Sequence, residues 1–276
     1  MRLDRLIGAW LLLLPGWWGI TLAGGGRPSA KLFALFALFG LGAVVMRGAG
    51  CTVNDLADRE FDAKVARTAG RPLPSGAITP KQALAFLILQ LAIGLAVLLA
   101  LDPFARWVGA ASLLLVFPYP YMKRITYWPQ AWLGLTFNWG ALLGWAAMRG
   151  RIDAPALILY VAGLFWTLGY DTIYAHQDKE DDVLVGVKST ALALGRNTRP
   201  WVTVFYGLTL ILIAVAGALA GLAWPFYPVL AVAGLNLAWQ VATVDIDNSP
   251  NCLIRFKSNR WFGLMVVAAM IAGGVG

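Results

Sequence analysis

Apolar runs of helical length recur along almost the whole chain, and short polar connectors rich in Gly and Pro separate them. A helix needs about 20 apolar residues to cross the hydrocarbon core of a bilayer, where backbone must form its hydrogen bonds internally. Nine runs approach this length, at about residues 6–23, 30–51, 80–101, 103–121, 128–148, 154–175, 200–222, 223–243 and 261–276. The pattern predicts an all-α, polytopic membrane protein with about nine transmembrane helices in a single integral-membrane domain over residues 1–276.

The composition supports the membrane assignment and argues against a water-soluble globule. Hydrophobic residues make up 59% of the chain and charged residues 13%, and the mean hydropathy is +0.69. The net charge of +8 does not indicate a nucleic-acid partner, because the basic residues lie in connectors between apolar runs. Nothing in the sequence indicates a protein partner, and we expect the chain to be surrounded by membrane lipid.

The distribution of basic residues predicts the orientation. With the N-terminus placed inside, 16 of the 22 Lys and Arg residues lie on that side, five lie on the other, and Arg47 lies within a run. This asymmetry follows the positive-inside rule. Because no Arg- and Ser-rich, acid-poor leader precedes the first run, we expect a bacterial cytoplasmic membrane, with the site described next facing the cytoplasm.

The most polar stretch follows the second run, at residues 47–76. Asn54, Asp58 and Asp62 are four residues apart, so on a helix they share one face. Such a cluster repels itself unless a cation binds to it, and hard oxygen ligands with room for water and phosphate suit Mg²⁺. The stretch is either a metal-diphosphate site or a solvated loop after a membrane helix.

A second acidic stretch ends the sixth run on the same predicted side of the membrane. Asp171 and Asp178 are seven residues apart, and Asp182 follows four residues later, which repeats the helical spacing. Carboxylates at membrane depth are costly and usually mark function. Two such stretches at one surface argue against accidental solvated loops. They favour a cage in which metal ions bridge an anion.

Basic residues near both stretches could supply countercharge to a diphosphate. Each could also be a positive-inside residue, and Tyr119, one turn before Lys123, could face the phosphates or belong to the interfacial aromatic belt. The candidate phosphate-binding cations are Arg67, Arg71, Lys123, Arg124 and Lys188.

Arg47 lies two helical turns, about 10 Å, deeper than Asn54. An unpaired arginine at that depth is costly, so it needs a structural partner or a ligand. A carboxylate-bearing ligand below the metal site is one explanation, because a guanidinium binds a carboxylate with two hydrogen bonds.

Together these residues resemble the UbiA superfamily of intramembrane aromatic prenyltransferases over about residues 40–200. NDLADREFD at 54–62 is similar to the first family motif, NDxxDxxxD, and DTIYAHQDKEDD at 171–182 to the second. YPYMKR at 119–124 is similar to the Tyr-x-x-x-Lys element between them. RTAGRPLPSG at 67–76 and GVKSTA at 186–191 extend the similarity, and it is weaker near residues 251–259.

The resemblance implies a nine-helix bundle with a lateral opening to lipid and a cytoplasmic cap. It also implies Mg²⁺-dependent transfer of a polyprenyl group from a polyprenyl diphosphate to the ring carbon ortho to the hydroxyl of 4-hydroxybenzoate, in ubiquinone biosynthesis. By resemblance, Asn54, Asp58, Asp62, Asp171, Asp178 and Asp182 would hold Mg²⁺ and diphosphate. By the same resemblance, Arg67, Arg71 and Lys123 would contact the phosphates and Arg47 would hold the acceptor carboxylate. We also expect Asn54, Tyr119, Arg124, Tyr174 and Lys188 to bind substrate. The alternatives are another aromatic acceptor, or a cation transporter that uses membrane-surface carboxylates.

Overall fold

A computed structural model describes residues 6–57, 72–73 and 75–274, and over these ranges the chain forms helices and no strands. The α-helices are α1 (Ile7–Ala23), α2 (Ala30–Ala57), α3 (Pro80–Leu99), α4 (Pro103–Ala111), α5 (Leu113–Val116), α6 (Tyr119–Ile125), α7 (Pro129–Phe137), α8 (Trp139–Arg149), α9 (Ala154–Ala175), α10 (Lys179–Val185), α11 (Thr190–Leu194), α12 (Thr198–Leu219), α13 (Phe226–Thr243) and α14 (Ser249–Gly274).

The long apolar helices confirm an all-α, multi-pass membrane protein. Five segments in the described part of the chain are long and apolar enough to cross a bilayer: Ala30–Leu56, Pro80–Leu99, Ala154–Ala175, Thr190–Leu219 and Phe226–Thr243. Helix α1, with 17 residues, is a shorter apolar helix. The total of nine spans stays a prediction.

Two of the predicted spans are divided into shorter helices. The run at 103–121 becomes α4, α5 and the start of α6, with breaks at Ser112 and Pro118. The run at 128–148 is interrupted at Asn138, whose buried amide donates to the Gly134 carbonyl and to Thr167 Oγ1, each at 2.8 Å. The amide thus binds the carbonyl one turn back in its own helix and a hydroxyl of α9, where the two short helices meet.

The last helix begins earlier than its hydropathy indicates. The apolar run starts at residue 261, yet α14 begins at Ser249. Its first turns contain Arg255, Lys257 and Arg260, which lower the hydropathy without interrupting the helix. A charged helical end therefore extends the last span toward the predicted cytoplasmic side.

Helix α1 packs against α2, α8 and α14, and its contact with α8 is unusually close. A methyl group added to Gly140 would lie 3.1 Å from the Gly16 nitrogen, and one added to Gly19 would overlap the Ala141 carbonyl. Small residues allow this approach, because van der Waals packing rather than hydrophobic burial joins helices in lipid.

A buried hydrogen-bonded network connects the helices of the C-terminal half. Trp166 Nε1 donates to Asn259 Oδ1 at 2.8 Å, and Asn259 Nδ2 donates to Gln240 Oε1 at 3.1 Å. The Tyr206 hydroxyl donates to the same Gln240 oxygen at 2.7 Å. These bonds join α9, α14, α13 and α12 and fix α14 against α9, both of which contribute side chains to the site.

Candidate active site

A cavity of about 990 Å³ collects residues from the predicted cytoplasmic ends of several helices. Its wall is formed by α1, α2, α6, α7, α9, the segment around α10, and α14. Eight of the residues singled out in the sequence line it: Arg47, Tyr119, Lys123, Asp171, Tyr174, Asp178, Asp182 and Lys188. Residues distant in the chain thus share one chamber.

The other candidates do not line this cavity as the structure describes it. Asn54 and Arg124 are both exposed, and neither is among the lining residues. Asp58, Asp62, Arg67 and Arg71 lie outside the described residues. The convergence of the first acidic motif with the second therefore stays a prediction.

The second acidic motif continues from the end of α9 into the short helix α10. The Asp182 amide donates to the Asp178 carbonyl at 2.8 Å, and the Val187 amide donates to the Asp182 carbonyl at 2.9 Å. Gly186 ends α10 with φ 72°, a left-handed conformation that favours glycine. This short turn of helix brings Asp178 and Asp182 to the cavity containing Asp171, which lies on α9 itself.

The loop after α10 is tied to α6. The Lys188 amide donates to the Lys123 carbonyl at 2.9 Å, and Lys188 Nζ donates to the Ile125 carbonyl at 3.2 Å. The ammonium group also lies 5.4 Å from the centroid of the Tyr127 ring. These bonds join the segments that carry Lys123 and Lys188, and both lysines line the cavity.

Arg47 enters the cavity from α2 and passes close to the first turn of α1. A methyl group added to Gly8 would lie 2.6 Å from Arg47 Nε and 3.2 Å from its Cζ. Asp171 and Tyr119 both lie within electrostatic range of the guanidinium. Arg47 forms no hydrogen bond or ion pair with a residue in the described ranges, so its charge faces the cavity.

The wall also contains residues that sequence analysis did not assign to the site. The Phe256 ring of α14 lies 4.4 Å from the Tyr174 centroid and 5.7 Å from that of Tyr170. Lys257 and Arg260 of the same helix line the cavity. The two cations were counted only as topology charges, and Phe256 gave no signal because aromatic residues are abundant throughout the chain.

His176, the single histidine, has a structural position. Its Nε2 lies 2.8 Å from Thr198 Oγ1, and it does not line the cavity. Burial, with a smaller effect of Lys179, lowers the pKa of His176 from 6.5 to about 4, while Asp247 opposes that change. The imidazole is therefore neutral at pH 7 and joins the end of α9 to the start of α12.

The carboxylates of the cavity have the chemistry of a hard-cation site, although the described residues do not complete one. No three His, Cys, Asp or Glu residues in the described ranges are arranged to hold one ion. Mg²⁺ usually keeps several waters and binds one or two carboxylates together with substrate phosphates. Asp171, Asp178 and Asp182 have the donor chemistry for such an open site, because all three are carboxylate residues that line the cavity.

Comparison with known proteins defines the class. The profile of the UbiA prenyltransferase family matches residues 12–265. The chain is 53% identical over 276 residues to "4-hydroxybenzoate polyprenyltransferase, mitochondrial" of Arabidopsis thaliana, with 99% of this chain and 67% of that protein covered. This chain belongs to the UbiA prenyltransferase family, and it is an enzyme of prenyl transfer.

Solved structures agree with the fold. A UbiA homologue from Aeropyrum pernix K1 in its apo form superimposes with a TM-score of 0.73 at 23% identity, covering 98% of both chains. A UbiA homologue from Archaeoglobus fulgidus bound to GPP and Mg²⁺ superimposes with a TM-score of 0.62 at 17% identity, covering 100% of this chain and 99% of that one. The helical bundle predicted from the sequence is therefore that of the family.

Proposed function

We propose that this chain transfers a polyprenyl group from an allylic polyprenyl diphosphate to the carbon ortho to the hydroxyl of 4-hydroxybenzoate, as a step of ubiquinone biosynthesis. It acts as one integral-membrane domain. The observation that carries the proposal is a single cavity that joins three carboxylates (Asp171, Asp178, Asp182) to the cations of α2, α6 and the loop after α10. The name of the Arabidopsis relative supports the choice of acceptor.

The donor's diphosphate fits the acidic and lysine-lined end of the cavity. Asp171, Asp178 and Asp182 would hold Mg²⁺ there, together with the predicted partners Asn54, Asp58 and Asp62. When bound, Mg²⁺ would neutralise charge that develops on the departing pyrophosphate. Binding of GPP and Mg²⁺ by the Archaeoglobus homologue supports this assignment.

Lys123 and Lys188 would stabilise the leaving group directly. As the allylic C–O bond breaks, its electron pair goes to the pyrophosphate oxygen and leaves an allylic cation. Preorganised positive groups lower the barrier because they interact most strongly with the charge that appears in the transition state. Lys188 is held by the Ile125 carbonyl and the Tyr127 ring, and its position therefore needs little rearrangement. Arg67, Arg71, Arg124 and Tyr119 are further proposed contacts of the donor.

The acceptor would bind with its carboxylate at Arg47. The guanidinium faces the cavity with no bonding partner among the described residues and can form two parallel hydrogen bonds to a carboxylate. The phenol oxygen makes the ortho carbon electron-rich, and this carbon attacks the allylic cation. A C–C bond forms, the ring loses a proton, and 3-polyprenyl-4-hydroxybenzoate and pyrophosphate are the products.

The aromatic wall would protect the cation from water. Tyr170, Tyr174 and Phe256 lie together beside Asp171 and line the cavity. Ring faces attract a cation, and an apolar wall excludes the water that would otherwise capture it. The long apolar helices expose aliphatic side chains. The polyprenyl tail would therefore stay in lipid against these helices while the diphosphate group reaches the cavity.

We place the enzyme in the cytoplasmic membrane of a bacterium, with the cavity facing the cytoplasm. The excess of basic residues on that side supports the orientation. The Arabidopsis relative is described as mitochondrial, so the membrane has to be established by fractionation of the source cells. Recovery with an outer-membrane or organelle marker would contradict this placement.

An acceptor panel tests the proposed substrate. Membranes containing the chain are incubated with a polyprenyl diphosphate, Mg²⁺, and either 4-hydroxybenzoate, homogentisate or a dihydroxynaphthoate, and products are identified by mass spectrometry. We expect prenylated product from 4-hydroxybenzoate with a kcat/KM at least about tenfold above the others, the effect of roughly one well-placed hydrogen bond. Preference for another acceptor would replace the proposed substrate and leave the reaction class intact.

A further inference from the structure

Lys257 and Arg260 form a cationic pair on one face of α14, one turn apart, and both line the cavity. Neither forms an ion pair with any residue in the described ranges. The Arg260 guanidinium lies 4.8 Å from the centroid of the Trp261 ring, which leaves its donors available. The pair therefore presents two charges to the chamber that the proposed donor site does not use.

Contacts between α1 and α14 define the depth of this pair relative to Arg47. A methyl group added to Gly263 would lie 3.2 Å from Leu14 Cβ, and Gly26 lies against Gly274 at the far ends of both helices. The two helices therefore run in the same direction. Gly8 lies six residues before Leu14, and Lys257 lies six residues before Gly263, so they are at similar depth.

Since Gly8 packs against the Arg47 guanidinium, Arg47 and Lys257 flank α1 at one level. Helix α1 contacts both α2, which carries Arg47, and α14, which carries the cationic pair.

Contacts between α9 and α14 separate Arg260 from the diphosphate end. Asn259 is hydrogen-bonded to Trp166, which places Arg260 near that level of α9. Asp171 lies five residues farther toward the predicted cytoplasmic end, about 7 Å at 1.5 Å per residue. Asp178 and Asp182 lie beyond the end of α9. Arg260 is therefore deeper in the cavity than the acidic wall, whereas Lys257 follows Phe256, whose ring contacts Tyr174 and Tyr170, and lies near the level of Asp171.

We propose that Lys257 and Arg260, together with Arg47, bind the carboxylate of the aromatic acceptor and so determine specificity for an acidic acceptor. This inference rests on the proposed function and extends it to two residues of α14. The depth of Arg260 favours the carboxylate over the diphosphate, because Asp178 and Asp182 lie nearer the cytoplasmic end. Phe256, in the preceding turn, offers an aromatic face beside the pair on which the acceptor ring can pack.

The test compares Lys257→Gln, Arg260→Gln and Arg260→Lys with Arg255→Gln. Arg255 is a matched control, because it lies on the same helical end, does not line the cavity, and donates to Thr243. For each variant, KM is measured for the hydroxybenzoate acceptor and for the polyprenyl diphosphate, and 4-hydroxybenzamide is used as an acceptor without the carboxylate.

We expect Arg260→Gln and Lys257→Gln to raise the KM for the hydroxybenzoate acceptor roughly 10- to 100-fold, the cost of one charged hydrogen bond. The KM for the donor should stay near the wild-type value, which also reports that the variant is folded. Preference for the acid over the amide should fall in both Gln variants, fall less in Arg260→Lys, and be unchanged in Arg255→Gln.

A rise in the KM for the diphosphate, with the KM for the acceptor unchanged, would overturn the proposal and assign the pair to the donor. Unchanged values for both substrates would overturn it too. Failure of the wild-type protein to prenylate 4-hydroxybenzoate would instead reject the proposed function itself, so the two failures are distinguishable.

Discussion

The guanidinium of Arg47 passes directly over Gly8, and a methyl group at Gly8 would lie 2.6 Å from Arg47 Nε. This contact joins the first turn of α1 to α2 at the level where the acceptor is proposed to bind. Glycine at residue 8 thus leaves space for the Arg47 side chain to extend into the cavity.

Replacing Gly8 with Ala should displace the Arg47 side chain without unfolding the protein, because the overlapping atoms are at the flexible end of an arginine. We expect the KM for the hydroxybenzoate acceptor to rise roughly tenfold, the loss of about one charged hydrogen bond, with little change for the donor. Gly40→Ala is the control, because a methyl group there meets no atom within 4 Å. Equal effects of the two substitutions would remove the role of this contact.

Substitution of the second acidic motif tests the proposed metal-diphosphate site. Asp178→Ala and Asp171→Ala should each reduce Mg²⁺-dependent transfer by roughly a hundredfold or more, because the charge on the leaving group would lose its stabilisation. The measurement is single-turnover prenyl transfer over a range of Mg²⁺ concentrations. Near-normal rates for either variant at low Mg²⁺ would argue against the site.

Lys123 of α6 and Lys188 of the loop after α10 should act mainly on the donor. Lys188→Ala removes the ammonium group but keeps the backbone bond from Lys188 to the Lys123 carbonyl, so the loop should stay in place. We expect kcat/KM for the diphosphate to fall at least about tenfold.

Lys31→Ala is a matched control, because Lys31 donates to the Met148 carbonyl outside the cavity. A larger effect of Lys188→Ala on the acceptor than on the donor would contradict the assignment.

His176 predicts a dependence of stability on pH. Its pKa is about 4 in the folded protein because the ring is buried, compared with about 6.5 in an unfolded chain. Between these values the unfolded state binds more protons, so the free energy of unfolding should fall as pH decreases from about 6.5 to about 4.

Thermal unfolding in detergent at pH 7.5 and pH 5 should therefore show a loss of Tm at the lower pH. His176→Gln keeps a polar group near Thr198 and should show a smaller loss. The same loss in both proteins would mean that other groups cause it.

Much of the helical architecture could be predicted from the sequence, because apolar runs in lipid have few structural options. The start of α14 could not, since hydropathy falls where Lys257 and Arg260 enter the helix although their side chains face a polar cavity. Such charges look the same in the sequence as those that only set membrane orientation. Only the folded structure distinguishes the two kinds of charge, because it places Lys257 and Arg260 beside Phe256 in the cavity wall.

Part of the candidate site was also predictable. The spacing of Asp171, Asp178 and Asp182, and the depth of Arg47, led to residues that line one cavity. Lys123 and Arg124 were both candidates, yet adjacent residues on a helix point about 100° apart, and only Lys123 lines the cavity. Spacing along the chain indicates which residues share a face, but not which face meets the cavity.

In the proposed reaction, this cavity transfers the polyprenyl group of a polyprenyl diphosphate to 4-hydroxybenzoate and releases pyrophosphate. Purified protein in liposomes, given both substrates, should form a product of the mass of 3-polyprenyl-4-hydroxybenzoate and release one pyrophosphate per product, with Mg²⁺ but not with EDTA. Pyrophosphate release without a prenylated ring, or equal product formation in EDTA, would contradict the account.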